Sequence, residues 1–485
     1  MSMFRVALLL ALGATTCSIL PVTHAIAETA VQIGSRRELF VDDYLVARVT
    51  GSTRLLPEKP VPREVVLVTD KPWEGSSCLY FMIFRDQSRY RMYYRGLQTG
   101  EAPAAHHEVV CYAESLDGIT WKRPELNLVA FRGSTRNNII WDGLGSHNFT
   151  PFIDRNPNCS PQDRYKAVGR GQRTPDGGTG TVHQLFAFQS PDGIHWTRMQ
   201  FQPILVNGGF DSQNLAFWDT TRQTYLAFYR KGDRGVRAIA TSSSTDFKNW
   251  TRSRFLDYRG APRQDLYTNA IQPYDRAPHL LIGFPTRFYP QRQFPDQPEW
   301  TEPILVASHD GRSFRAWNQS VIPVNQGAGR TGNRSNYLSA GLVPMVNNPT
   351  EYSVYASEDR RTGTSMRLRR FAYRTDGFVT VNTSTKPGHL YTKPLVFEGD
   401  QLSLNFQTGI QGQLQLELLN LEGKPLPGFS LADCTPIMGN HLEKHVQWKH
   451  GTSVSRLMGR PVRLHFVMRQ CDLYSFQFQT RKARP

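Results

Sequence analysis

One short pattern recurs along this chain and restricts its fold more than any other feature. Ser115-Leu116-Asp117-Gly118-Ile119-Thr120-Trp121 is followed by Ser190-Pro191-Asp192-Gly193-Ile194-His195-Trp196, Thr245-Asp246-Phe247-Lys248-Asn249-Trp250 and Ser308-His309-Asp310-Gly311-Arg312-Ser313-Phe314. A weaker fifth copy is Thr375-Asp376-Gly377-Phe378. The aspartates are separated by 75, 54, 64 and 66 residues, enough for four strands and their loops in each interval. Asp-Gly makes a tight turn because both residues tolerate positive φ, and the aromatic that follows can wedge against a neighbouring sheet. Five such units predict a five-bladed β-propeller.

Between the repeats, short β-rich runs alternate with Gly, Pro and Asn turns, and no long segment has helical periodicity. The expected class is therefore all-β. Blade one is read as strands at 77–85, 90–95 and 108–114 with a fourth around Trp121, and blade five as 337–343, 352–357, 367–374 and 378–382. From about Leu395 the strands continue without the repeat, which predicts an appended C-terminal β-sandwich. The expected boundaries are 28–394 for the propeller and 395–485 for the sandwich.

Residues 1–27 read as a cleaved secretory signal: Arg5, an apolar run at 6–14 and a small-x-small site at Ala25-Ile26-Ala27. The protein is expected in the periplasm or outside the cell, and no later stretch is apolar enough for a transmembrane helix. Five cysteines follow the leader without Cys-x-x-Cys spacing, which argues against a zinc or redox motif; Cys434 and Cys471 could pair. Formal charge is +16, and 45 of the 57 basic residues are arginine. Guanidinium forks suit carboxylate or sulfate, so an anionic partner is expected. The arginines are scattered and match no nucleic-acid-binding pattern, so nucleic acid is not expected.

In a propeller, ligands meet one mouth of the central channel, near the starts of the innermost strands and the ends of the second strands. The first set carries Glu74, His147, Asn148, Asp211, Gln213, Asn214, Asn269 and Arg334; the second carries Arg95, Arg170, Arg230 and Arg287. Glu74 and Asp211 occupy matching places in blades one and three and are the expected catalytic pair, facing each other across the mouth. Glycoside hydrolysis needs two carboxyl groups, one to protonate the leaving oxygen and one to attack or to activate water. Asp265 and Glu358 are reserve acids. The remaining polar residues of both sets are read as substrate-binding. His106-His107-Glu108 invites a metal reading, but adjacent histidines on an extended chain point opposite ways. The glycine-rich loop at 177–180 has no following helix or lysine and is no phosphate cradle. No cofactor and no metal site are expected.

Five blades, Ser-x-Asp-Gly-x-x-Trp repeats and a C-terminal sandwich resemble the furanosidase superfamily of glycoside hydrolase families 32, 43 and 68. The opening Glu38-Leu39-Phe40-Val41-Asp42-Asp43-Tyr44-Leu45 and the run Ser146-His147-Asn148-Phe149-Thr150-Pro151-Phe152 resemble secreted, family-32-like bacterial proteins frequent in planctomycetes, over nearly the whole mature chain. The superfamily resemblance implies an acid or nucleophile in blade one, a helper carboxylate in blade two and a general acid in blade three. Glu74 and Asp211 stand where the first and third would. The chain has no Asn-Asp-Pro-Asn-Gly, Arg-Asp-Pro or Glu-Cys motif in those blades, and His147-Asn148 stands where the helper acid is implied. The resemblance therefore does not extend to fructan or sucrose hydrolysis.

Three readings follow. The first is an exported glycoside hydrolase acting on an anionic polysaccharide or oligosaccharide. The second is a non-catalytic glycan-binding propeller of the cell envelope, with the same acids bonded to sugar hydroxyls. The third, a structural docking disc, requires an apolar face in place of a charged mouth.

Overall fold

The computed structural model describes residues 29–100, 105–173, 182–289, 300–324 and 335–481. The expected leader at 1–27, the loop at 177–180 and Arg334 lie outside the described residues. Among these residues no helix is long and apolar enough to cross a membrane.

The repeat turn builds itself from its own side chains. Ser115 Oγ accepts from Gly118 N at 2.9 Å, while Asp117 Oδ1 accepts from the N–H groups of Ile119 and Thr120 at 2.8 and 2.7 Å. The same bonds recur around Asp192, Asp246 and Asp310. Gly118, Gly193 and Gly311 take φ of +74°, +78° and +72°, and Phe247 takes +64° at the matching position of the third copy. A side chain there is strained. Phe247 is wholly buried, packed edge-on or tilted against Phe152, Tyr225 and Trp250, and that burial offsets the strain.

Five sheets radiate from a common channel. Blade one is Leu79–Asp86, Arg89–Gly96, Val109–Ser115 and Ile139–Asp142; blade two is Gly145–Ile153, Tyr165–Arg173, Val182–Ser190 and Thr197–Arg198. Blade three is Leu215–Asp219, Thr224–Asp233, Val236–Ser244 and Arg254–Phe255. Blade four has Gln272–Tyr274, Ala277–Gly283, Thr301–Ser308 and Arg315–Ser320, with Thr286–Phe288 beside the third. Blade five is Val343–Pro344, Glu351–Glu358, Arg367–Arg374 and Val61–Val68. An apolar cluster fills each gap between neighbours, for instance Phe149, Tyr165, Phe188 and Trp196 with Tyr93 and Tyr112 between blades one and two. The other gaps are filled in the same way. The chain is all-β with a five-bladed propeller.

Two strands differ from expectation. Trp121 is not in a fourth strand: its Nε1 donates to Gly118 O at 3.2 Å, closing the turn, and Ile139–Asp142 forms the blade edge. The fourth strand of blade five comes from Val61–Val68, paired antiparallel with Arg367–Arg374, so an early strand closes the ring. Val379–Thr383 instead joins an eight-stranded sheet with Arg37–Leu39, Val46–Gly51, Arg54–Pro57, Gly388–Thr392, Gln401–Leu419, Asn440–His445 and Arg463–Gln479. The C-terminal segment contributes no blade. Its core is rich in Phe and Leu, including Phe397, Leu404, Leu416, Phe466 and Phe476. Cys434 and Cys471 are both free thiols.

Candidate functional site

The site begins with a turn held by amides. Asn148 Nδ2 donates to Phe210 O at 2.7 Å and to Ser212 O, and Asn214 Nδ2 donates to the same two carbonyls at 3.0 and 2.9 Å. Two blades thus grip the backbone on either side of Asp211. Asn148 Oδ1 also accepts from Arg170 N at 2.9 Å, which aligns the end of the second strand of blade two with that turn. Gln213 Nε2 reaches Phe81 O at 3.0 Å, and Asn269 Nδ2 bonds Gln213 O and Phe228 O at 3.2 Å. These four residues were expected as sugar contacts. The structure engages their buried amides with the protein's own backbone.

Asp211 projects from the gripped turn with its side chain 38% exposed. His147 Nε2 lies 2.8 Å from Oδ1, Arg170 Nη1 donates to Oδ1 at 2.8 Å, and Arg230 Nη2 stands 3.4 Å from Oδ2. His147, then Arg170 and Arg230, hold this carboxyl well below the usual carboxylate range. The other ring nitrogen of His147 is 2.6 Å from Glu108 Oε1, which also accepts from Arg95 Nη1 at 3.3 Å. Burial works against ionisation of Glu108, yet His147, Arg95 and Arg170 lower its carboxyl. Aromatic faces complete the wall: Arg95 lies 4.8 Å over the Tyr80 ring and Arg230 5.2 Å over that of Tyr267. His183 Nε2 sits 3.4 Å from Arg170 Nη1. Three guanidiniums face two carboxylates, so the cluster carries a surplus of positive charge.

Glu74 does not join it. Its side chain is wholly buried, with Oε1 accepting from Tyr94 Oη at 2.5 Å and Oε2 from Arg123 Nη1 at 2.8 Å and Lys71 N at 3.1 Å. Burial raises this carboxyl above its ordinary value, outweighing Arg123 and Tyr94. Glu74 and Asp211 share no hydrogen-bond or ion-pair partner among the described residues. The expectation of an open Glu74 carboxyl at the mouth is corrected: it is enclosed by Tyr94, Arg123 and Lys71 N.

The other expected residues divide. Arg95, His147, Arg170 and Arg230 converge with Asp211. Arg287 does not: it donates to Asn318 O at 2.9 Å and Gln264 Oε1 at 3.3 Å and pairs with Glu302 at 3.4 Å. Asp265 accepts from Arg237 N at 2.9 Å, and Glu358 is buried against Arg369 Nε at 2.9 Å. His106 Nε2 lies 2.7 Å from Glu74 O, and His107 Nε2 lies 2.9 Å from Asp142 Oδ2, so the adjacent histidines serve different partners.

No family model and no curated protein matches the chain. Among solved structures, it is similar to that of a BT0996 RGII complex, with 14% identity over 66% of this chain and 92% of that one, at a TM-score of 0.45. It is also similar to an N-acetylgalactosamine deacetylase from F. plautii in complex with blood group B trisaccharide, at 10% identity, 68% and 97% coverage and a TM-score of 0.42. A third is the α-L-arabinofuranosidase Arb93A from Fusarium graminearum, at 12% identity, 67% and 99% coverage and a TM-score of 0.37. These likenesses concern the path of the chain.

Glu108, Tyr80, Tyr267 and His183 were missed as site residues. A signal for two of them lies in the blade register. Each third strand carries a titratable side chain within one residue of its start: Glu108, His183, Arg237, Glu302 and Arg367. Arg170 pairs with Leu185 and Arg95 with Val110, so these openings lie beside the arginines at the ends of the second strands.

Proposed function

We propose that this chain is an exported glycoside hydrolase acting on an anionic, uronate-containing or sulfated, polysaccharide or oligosaccharide. The observation that carries the reading is Asp211: an accessible, ionised carboxylate beside a histidine and two arginines. An ionised carboxylate serves as nucleophile or as the base that activates water, not as the acid. In this reading His147, between Asp211 and Glu108, orients the Asp211 carboxylate, and Arg95, Arg170 and Arg230 meet the anionic groups of the glycan. The excess of guanidinium over carboxylate supports the anionic substrate. The leader-like residues 1–27 support export, and the resemblance to family-32-like propellers supports the reaction class. Register breaks between Thr408 and Gln413, which bend a 19-residue strand, support an appended sandwich.

The enclosure of Glu74 favours a second reading, a non-catalytic glycan-binding propeller of the envelope, because it leaves Asp211 without the expected second acid. Digestion of neutral, uronate-containing and sulfated polysaccharides, read by released oligosaccharides, separates the two. Release from acidic glycans that is lost in Asp211→Asn supports the hydrolase. Binding of acidic glycans without release supports the second reading. Cleavage of neutral glycans only removes the anionic substrate.

A further inference from the structure

A second histidine–carboxylate cluster lies apart from the Asp211 site and shares no residue with it. Glu38 belongs to the strand Arg37–Leu39, which pairs with Arg463–Gln479 of the eight-stranded sheet. His279 lies in Ala277–Gly283 of blade four, and His309 stands in the repeat turn after Thr301–Ser308. Arg222 Nη2 draws the two histidines together by donating to His279 O and His309 O at 3.1 and 2.7 Å. One ligand atom from each of Glu38, His279 and His309 falls within 4.8 Å of the others, and all three residues are buried.

The distances distinguish this group from an ordinary ion pair. His279 Nε2 and His309 Nε2 approach the same oxygen, Glu38 Oε2, at 3.3 and 3.2 Å. The histidine–carboxylate contacts elsewhere among the described residues are shorter: 2.6 Å for His147 and Glu108, 2.8 Å for His465 and Glu417, and 2.9 Å for His107 and Asp142. Zinc bonds nitrogen and oxygen ligands at about 2.0–2.2 Å, which sets neighbouring tetrahedral ligand atoms about 3.3–3.5 Å apart. The Glu38 contacts match that edge better than they match a charge-assisted hydrogen bond of about 2.7–2.9 Å. The surroundings are built in the same sense. Asp42 Oδ2 lies 2.9 Å from His309 Nδ1, the carboxylate–histidine arrangement that orients a metal ligand. Arg36 Nε donates to the other oxygen, Glu38 Oε1, at 2.5 Å and leaves Oε2 to the histidines. Tyr44 stacks on the His309 ring at 4.3 Å and fixes its plane. Arg222 is matched by Asp219 at 2.5 Å, so Glu38 and Asp42 against Arg36 leave negative charge for a cation to meet.

We propose that Glu38, His279 and His309 bind one divalent transition-metal ion, zinc by its ligand set, which staples the N-terminal segment and its sheet to blade four. Two imidazoles and one carboxylate oxygen disfavour calcium and magnesium, which take oxygen ligands. Three protein ligands leave the fourth tetrahedral position to a water molecule.

The test uses the full chain, stripped by a chelator and titrated with Zn²⁺ by calorimetry, with Co²⁺ absorption reporting ligand geometry. One ion per chain, a tetrahedral cobalt spectrum and a higher unfolding temperature on zinc addition are expected. Asp42→Asn should weaken binding about 10–100-fold, and His279→Gln or His309→Gln should abolish it. Absence of stoichiometric binding by the parent chain overturns the proposal, as does binding untouched by both histidine variants. If those variants do not fold, anomalous diffraction at the zinc edge from parent crystals decides: a peak among Glu38, His279 and His309 supports the site, and a peak elsewhere or none refutes it.

Discussion

Glu74 and Asp211 both precede the first strand of a blade, yet their surroundings drive them in opposite directions. Around Glu74, the wholly buried blade-one residues Cys78, Tyr94 and Cys111 exclude water, and a single cation, Arg123, answers the carboxylate. Around Asp211, two guanidiniums and the His147 ring reach a carboxyl that still meets solvent. Desolvation outweighs pairing at the first and pairing outweighs desolvation at the second. A carboxyl ahead of a blade's first strand therefore has no fixed chemistry; the packing around it decides.

Turnover gives the widest separation. Asp211→Asn should lower kcat about 10²–10⁴-fold on a glycan that the parent cleaves, with a normal unfolding midpoint. Glu74→Gln should leave kcat unchanged. The opposite ranking would return Glu74 to the chemistry.

Stability should reverse the order. Glu74→Ala leaves Arg123, with 17% of its side chain exposed, only the exposed Asp70 at 2.8 Å and strips the buried Tyr94 hydroxyl of its acceptor, at a cost of about 3–5 kcal/mol in urea unfolding. Asp211→Ala takes the carboxylate from Arg170, of whose side chain only 9% is exposed, but at a site that water can enter, and should cost about 1–3 kcal/mol. Equal losses would show that Asp211 is held as rigidly as Glu74.

Binding comes next. Each hydrogen bond from a guanidinium to an anionic group contributes about 1.5–3 kcal/mol. Arg170→Gln and Arg230→Gln should therefore weaken an acidic glycan about tenfold or more and a neutral one little. Added salt should narrow that gap, since exposed charges are screened over about 8 Å at 0.15 M. Equal losses on both glycans would sever the arginines from charge recognition.

The smallest signal is in pH. The lowered folded-state pKa of Asp211 contributes stability that is present above its ordinary value of 3.8 and is lost as pH falls further. Glu74 has the opposite sign: its folded-state pKa lies above 4.5, so its ionisation costs stability as pH rises through that raised value. In unfolding midpoints followed from acid to neutral pH, Asp211→Asn should flatten the acid limb. Glu74→Gln should gain on the parent as pH rises. A parallel response of the two variants would contradict the assigned surroundings.

The fifth repeat shows why part of the fold was hidden. In four copies the aspartate serves its own turn, and spacing alone identifies it. Asp376 is instead a buried hub: it accepts from Tyr274 Oη at 2.7 Å, Arg276 Nε at 3.0 Å, Ser475 Oγ at 2.7 Å and Asn405 Nδ2 at 3.0 Å. Those partners join the propeller to the eight-stranded sheet, and they lie 29 to 102 residues away in the chain. The same distance hid the closing strand, since Val61–Val68 meets its partner Arg367–Arg374 some 300 residues later. His147, Arg95, Arg170 and Arg230 were legible because strand ends recur in each blade. The amides of Asn148 and Asn214 were not, because residue type does not say whether a polar group meets a ligand or a backbone carbonyl.

The amino-acid sequence by itself determined the all-β class, the blade count and the placing of Arg95, Arg170 and Arg230 near the ends of three second strands. These depend on bonds between residues two or three apart and on the alternation of a strand, both written locally. Tertiary structure alone decided that Glu74 is enclosed and Asp211 accessible, that Glu108 reaches His147, and that Glu38 meets two histidines of blade four. Each of those outcomes depends on desolvation and on side chains from distant segments sharing one small volume, and both exist only once the blades have packed.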